Sequence, residues 1–242
     1  MNFSLSPRIG KALVASGILM ATLTAAAPAA AGYAYGPVRP GAQNSNWGGY
    51  VAQGEFTSIT GSWVEPKVTC TSSNNLFAPW VGIDGYGSQT VEQTGVQTDC
   101  STGHPVISPW YEMYPANPVY WNEPVSVGDK ITGMVVANGG GSYTLTLTDN
   151  TKGWTKTVQK SLQAQDISAE AVIESPTSSY PSFSKLSFSG VKVDGQPFDT
   201  FGPTPLDSGG YGPGTLHGGS FTMKPGAART RTHSRRPSII RY

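Results

Sequence analysis

The sequence predicts an all-β protein, and three observations carry that reading. The chain of 242 residues holds 30 Gly and 19 Pro with a charged fraction of only 13%, too few surface Glu and Lys for a helical bundle. Thr, Ser, Val, Tyr and Trp are abundant, and these residues favour strands. Short alternating runs are separated by Gly, Pro, Asn and Asp clusters, the spacing of a sandwich or barrel. The roughly 210 residues that follow a leader fit one such domain.

The first 31 residues read as a secretory signal peptide. Arg8 and Lys11 form a positive start, Ala12 to Ala27 is mostly apolar, and small residues around Ala29 and Ala31 offer a cleavage site. Residues 32–45, beginning GYAYGPVRPGAQ, read as a flexible N-terminal arm or propeptide remnant, because Pro and Gly punctuate them. Ordered structure is expected from Asn46-Trp47-Gly48-Gly49-Tyr50-Val51, followed by an alternating strand from Phe56 to Val64 that Glu65-Pro66 ends.

The stretch Trp80 to Gly95 (WVGIDGYGSQTVEQTG) reads as two strand ends meeting at a Gly-rich corner. Pro109 to Pro115 is an aromatic strand, since its prolines argue against a helix. Val125 to Ile131 reads as two strands about a Gly-Asp turn. Ile131–Val136 and Tyr143–Asp149 form a hairpin over Asn138-Gly139-Gly140-Gly141, and Trp154–Val158 follows it. From Ser161 to Ser175 helix propensity and strand alternation are evenly matched. As a strand this segment would carry Glu170, Val172 and Glu174 on one face. Leu186–Val193 is strand-like, Gly202–Gly219 is loop, and Ser220–Met223 starts a last strand. Residues 224–242 carry six basic and no acidic residues and read as a basic, disordered tail. The domain itself is expected at 46–223.

Charge narrows the function. Removing the two basic residues of the leader and the six of the tail leaves 8 basic residues against all 15 acidic ones, so the body has formal charge 8 − 15 = −7. Such a body lacks the cations that neutralise phosphates, which excludes a nucleic-acid partner. It suits a protein secreted into acid. Cys70 and Cys100 are the two cysteines, and in a secreted chain a disulfide is the default.

Chemistry comes down to carboxylates. The body's histidines, His104 and His217, sit in loops. No Gly-x-Ser-x-Gly elbow precedes a helix, and no His/Cys/Asp cluster has metal-ligand spacing. No metal or cofactor is expected. Asp84, Glu92, Glu112, Glu170 and Glu174 lie in or beside apolar runs, where burial raises a carboxyl pKa into proton-exchanging range. Two enzyme classes use such groups, glycosidases with paired carboxylates and acid peptidases.

Five motifs in order then carry a resemblance: Asn46-Trp47-Gly48-Gly49, Trp80 to Gly85, Gln93-Thr94-Gly95, Trp110 to Pro115, and Ala169 to Glu174. The chain resembles the glutamic peptidases, or eqolisins, secreted acid endopeptidases. That resemblance implies a sandwich of two antiparallel sheets of about seven strands, of lectin-glucanase (concanavalin A-like) architecture, with Ser161–Ser175 resolved as strand. It implies Gln93 and Glu174 as the catalytic pair and protein or peptide substrates. By analogy Asp84 and Glu112 support the pair by hydrogen bonds, and Trp47 and Trp80 wall the cleft. Glu92 reads as a solvated residue opposite Gln93, and Glu170 as a support or a rim charge. After Gln93-Thr94-Gly95 the family has an aromatic and an aspartate, where this chain has Val96 and Gln97. A monomer, extracellular and free of the membrane after signal removal, is expected. The alternatives are a glycan-binding or glycan-hydrolysing sandwich and an inactive secreted binding protein.

Overall fold

The structure, a computed structural model, describes Met1, residues 33–41 and residues 46–225. Apart from Met1, the segment read as a signal peptide lies outside the described residues, and so does the tail beyond Pro225.

In chain order the strands are β1 Trp47–Gln53, β2 Ser58–Val64, β3 Val68–Thr69, β4 Leu76–Ile83, β5 Val91–Asp99, β6 Val106–Tyr114, β7 Val119–Tyr120, β8 Lys130–Gly139 and β9 Ser142–Asp149. They continue with β10 Trp154–Ser161, β11 Ser168–Glu174, β12 Ser182–Phe183, β13 Leu186–Val193, β14 Gln196–Pro197, β15 Thr204–Leu206, β16 Tyr211–Pro213 and β17 Phe221–Pro225. One sheet has seven strands in the order β15-β1-β11-β4-β5-β6-β7. The other runs β10-β9-β8-β2-β13-β17-β16, with β14 beside β13. Neighbouring strands are antiparallel, so the fold is a sandwich of two large sheets, as the sequence implied.

The two sheets bury themselves differently. In β9, Tyr143, Leu145 and Leu147 are buried while Thr144, Thr146 and Thr148 are half-exposed, the alternation of a sheet with one wet face. Every residue of β4, β5 and β11 is buried. Their inward side chains, such as Phe77, Val81, Val96, Ala171 and Ile173, join the core between the sheets. Their outward ones, including Trp80, Val91 and Val172, build a second cluster with Tyr35, Trp47 and Trp110. The seven-stranded sheet is therefore covered on both faces.

Beneath that sheet, Val81 fills a gap opposite Gly133 of β8. A Cβ on Gly133 would lie 2.8 Å from Val81 Cγ2, closer than real Cβ contacts allow, so the missing side chain lets the sheets approach here. At the edge, the Cys70–Cys100 disulfide, with Cα atoms 5.6 Å apart, ties the loop before β4 to the residue after β5. All of Trp80–Gly95 lies within the loop it closes.

Two expectations are corrected by hydrogen bonding. Residues 125–128 form no strand: Asp129 folds them into a turn by accepting the Ser126 amide at 2.6 Å, and the Gly128 amide donates to Glu65 O at 2.9 Å. The Gly-rich 202–219 region contributes β15 to the edge beside β1 and β16 beside β17. Because β16 pairs with β17, the final strand does not leave its edge bare.

Candidate active site

The centre of the seven-stranded sheet positions the candidate residues by register. Gln93 lies opposite Gly82 on one side and Glu112 on the other. Glu174 lies opposite Ala78 and Trp47. Strand parity puts Gln93, Glu112, Glu170, Glu174, Trp47 and Trp80 on the same outward face. Gly95 makes the centre possible, because a Cβ there would stand 2.6 Å from Trp80 Cβ and 2.4 Å from Pro79 O.

The N-terminal arm lies across this face. Tyr35 is fully buried. Its ring stacks on Trp110 at 4.3 Å and 9°, and its hydroxyl donates to Gln97 Oε1 at 2.6 Å, which also accepts from Tyr120. Its backbone is read out as closely. Gln93 Nε2 donates to Tyr35 O at 2.6 Å and to Glu112 Oε2 at 2.8 Å, while the Tyr35 amide donates to Glu112 Oε2 at 3.1 Å. Gln93 thus holds the carbonyl of the Tyr35–Gly36 peptide group on the outward face that it shares with Glu174. Gln93 Oε1 and Glu174 Oε2 are buried and have no hydrogen-bond partner among the described residues.

Burial dominates the electrostatics. It pushes Glu174 well above the usual carboxylate range, with Glu112 adding repulsion and the Trp47 and Trp80 indoles and the Gly36 amide pulling back. Glu112 is pushed up to about 8 by burial, against the downward pull of the Tyr35 and Gln93 N–H groups. Both carboxyls therefore hold protons easily while the arm covers them.

Asp84 does not reach this centre. Its backbone is left-handed, at φ 66°. Its carboxylate accepts the amides of Gln165, Asp166 and Ile167 at 2.8, 2.9 and 2.9 Å and the Thr90 hydroxyl at 3.1 Å. It fixes the loop entering β11, and so the register of Glu170 and Glu174, from a distance. Trp47 and Trp80 meet edge to face at 4.8 Å beside Glu174.

Glu92 is opposite Gln93 in strand parity but is not solvated. It is fully buried because its face is the one packed on the second sheet. Burial pushes it up to about 9, with Asp84 and Asp166 adding repulsion. Glu170 is no rim charge either, being fully buried and pushed well above its ordinary range by burial. Carboxylate oxygens of Asp84, Glu92 and Asp166 lie within 4.8 Å of one another. Asp84 is already saturated by the four donors above, and Asp166 accepts the Tyr143 hydroxyl at 2.7 Å.

The arm and Gln97 are what sequence reasoning undervalued. The only signal was two tyrosines, Tyr33 and Tyr35, in an otherwise Pro- and Gly-rich segment, together with the departure at Gln97 from the family's aspartate.

A family model described as the peptidase A4 family matches residues 45–206. Among solved structures, a scytalido-glutamic peptidase holding a transition state analog inhibitor is 25% identical, with a TM-score of 0.66, covering 75% of this chain and 98% of that one. SCP-B, a member of the eqolisin family of peptidases in complex with the tripeptide Ala-Ile-His, is 24% identical with a TM-score of 0.61, over 75% and 98% of the two chains. Aspergilloglutamic peptidase from Aspergillus niger is 24% identical with a TM-score of 0.52, over 62% of this chain and 99% of that one. No curated protein matches the chain.

Proposed function

The chain belongs to the peptidase A4 family and is a glutamic peptidase, and on that premise we propose that it is a secreted acid endopeptidase using Gln93 and Glu174. One observation carries the assignment of the pair. A peptide group of the chain itself lies with its carbonyl 2.6 Å from Gln93 Nε2, on the outward face of the sheet that Gln93 and Glu174 share.

The chemistry proceeds from that arrangement. With the arm out of the cleft and water in it, the desolvation that raises Glu174 is relieved, and its carboxylate takes a proton from a water adding to the carbonyl carbon, then passes it to the leaving nitrogen as the C–N bond breaks. The Gln93 amide donates to the oxygen where negative charge develops, an effect worth about 3–4 kcal/mol for one such donor. Glu112 orients Gln93: by accepting one Nε2 hydrogen at 2.8 Å it leaves the other aimed at the carbonyl.

The burial of five carboxyls supports work in acid. Glu65, Glu92, Glu112, Glu170 and Glu174 are all raised by burial, so protonation at low pH removes a cost of folding. The disulfide and the signal-like leader support secretion. Among the described residues no helix is long and apolar enough to cross a membrane.

A glycosidase needs two carboxylates free to face one sugar bond. Glu112 is instead committed to Gln93 and to a peptide amide, so the peptidase reading stands ahead. Its test is digestion of a denatured protein at about pH 4 by wild type and Glu174→Gln, expected to differ by about 10³-fold or more. Equal digestion by the two would remove Glu174 as the base.

A further inference from the structure

Glu174 stands at the very end of its strand. It closes β11 and ends both of that strand's ladders, opposite Trp47, the first residue of β1, and Ala78 of β4. Strand ends fray more readily than strand centres. Toward β1 one long bond remains beyond this rung, from the Ser175 amide to Asn46 O at 3.3 Å. Tyr180 is placed at that point. Its hydroxyl donates to Asn46 O at 2.9 Å and lies 3.5 Å from Ile173 O, with the Ser208 hydroxyl 2.9 Å away. It therefore meets the residue before Trp47, the residue before Glu174 and the turn beside them.

Tyr180 is itself held in place. The Leu76 amide of β4 donates to Ser179 O at 3.0 Å, and the Ser179 amide donates to Ser175 Oγ at 2.9 Å. The Tyr180 ring packs on Phe77 and Tyr211, with centroids 6.2 and 5.6 Å away. Ser208 and Tyr211 exchange backbone bonds of 2.9 and 2.8 Å. Between them Gly209 is left-handed at φ 57°, and a Cβ there would run into the Tyr180 ring.

We propose that Tyr180 is a positioning residue for the reaction: its hydroxyl clamps the open end of the β1–β11 ladder and so fixes Glu174 and Trp47 in the cleft. The proposal rests on the Gln93/Glu174 reading above. A base must stand within reach of its substrate through one water, and a misplacement of about 1 Å can cost about 10²-fold in rate. Glu174 keeps one carboxylate oxygen without a partner among the described residues, so its side chain is aimed largely by its backbone. That backbone, at the last rung, is held from outside the ladder by Tyr180. Tyr180 takes no part in proton transfer and acts through Glu174.

The test uses the full chain and Tyr180→Phe, which keeps the ring and removes only the hydroxyl. Steady-state kinetics on one peptide at about pH 4 should show kcat lowered about tenfold or more, with KM within about twofold. Hydrogen exchange at the Ser175 amide should quicken about tenfold, the effect of one lost hydrogen bond, while the Leu147 amide in β9 is unchanged. In a Glu174→Gln background Tyr180→Phe should change the residual rate by less than about twofold, because residues acting as one unit are not additive. Full kcat in Tyr180→Phe, with Glu174→Gln inactive, overturns the proposal and leaves the dyad reading standing. Faster exchange at Ser175 and Leu147 alike makes the hydroxyl a global stabiliser and overturns the local clamp. An equal drop in both backgrounds overturns it too, since Tyr180 would then act on something other than Glu174. Digestion by Glu174→Gln as fast as by wild type overturns the dyad reading and the clamp's role in catalysis together.

Discussion

Gln93 Nε2 lies 2.6 Å from the carbonyl oxygen of Tyr35 and 2.8 Å from Glu112 Oε2, so both of its hydrogens are committed to oxygens. An amide held this way cannot turn its oxygen toward a substrate carbonyl without losing two hydrogen bonds.

That orientation gives the first prediction. Gln93→Ala should lower kcat about 10²–10³-fold with a smaller effect on KM, because a donor to developing charge acts mainly in the transition state. Glu112→Leu should lower kcat in the same direction by releasing the amide. Steady-state kinetics on one peptide separates the two parameters. A rise in KM alone would assign Gln93 to binding.

Stability should fall as pH rises. Glu65 and Glu112 sit near 8 and Glu92 near 9, against an ordinary value of 4.5. Between 4.5 and those values the folded chain holds protons that the unfolded chain has released, so unfolding is favoured by increasing pH. Each such group contributes a slope of about 1.4 kcal/mol per pH unit in that window. Below 4.5 both states are protonated and the slope vanishes. Thermal unfolding from about pH 3 to pH 8 checks it, and a Tm that rises toward neutrality contradicts it.

Asp84→Ala should destabilise the fold by about 2–3 kcal/mol, since it strands three part-buried amides and a hydroxyl. Denaturant unfolding measures this directly. Activity should fall in the variant even where it remains folded, because the entry to β11 sets the position of Glu174.

The Tyr35 slot predicts a preference. If peptides follow the arm, tyrosine should be favoured over phenylalanine before the cut, through the hydroxyl bond to Gln97. Gln97→Leu should narrow that preference by about 1 kcal/mol, or roughly fivefold, in a paired-peptide assay. No change would place the incoming residue elsewhere.

The disulfide gives the last prediction. Replacing Cys70 and Cys100 by Ser should cost about 3–4 kcal/mol, the chain-entropy value for a loop of this length, read from denaturant midpoints.

Much of this molecule was legible before its structure. Alternation gave Glu174 and Glu170 a shared face, and the hairpin over Asn138–Gly141 was readable from its turn. What alternation cannot tell is whether a face meets water. Glu92, on the strand face opposite Gln93, was read as solvated, yet that face packs on the second sheet. Asp84 was expected to support Gln93 and Glu174 by analogy with the family. The left-handed turn of its backbone sends its carboxylate to the loop before β11, a long-range contact that local pattern does not encode. The arm was misjudged for a related reason. Pro and Gly signal the absence of helix and sheet, and an extended peptide lying in a cleft needs neither.

The contact between Val81 and Gly133 bears on how this enzyme can change. Val81 is the neighbour of Trp80 in β4, so whatever lifts one shifts the other. Any side chain acquired at position 133 would press upward through Val81 into the floor of the cleft. The backing sheet is thus no neutral platform onto which new loops or strands can be grafted freely. A lineage or an engineer altering it would meet losses of turnover from substitutions that no peptide ever touches, relieved by a smaller residue at position 81.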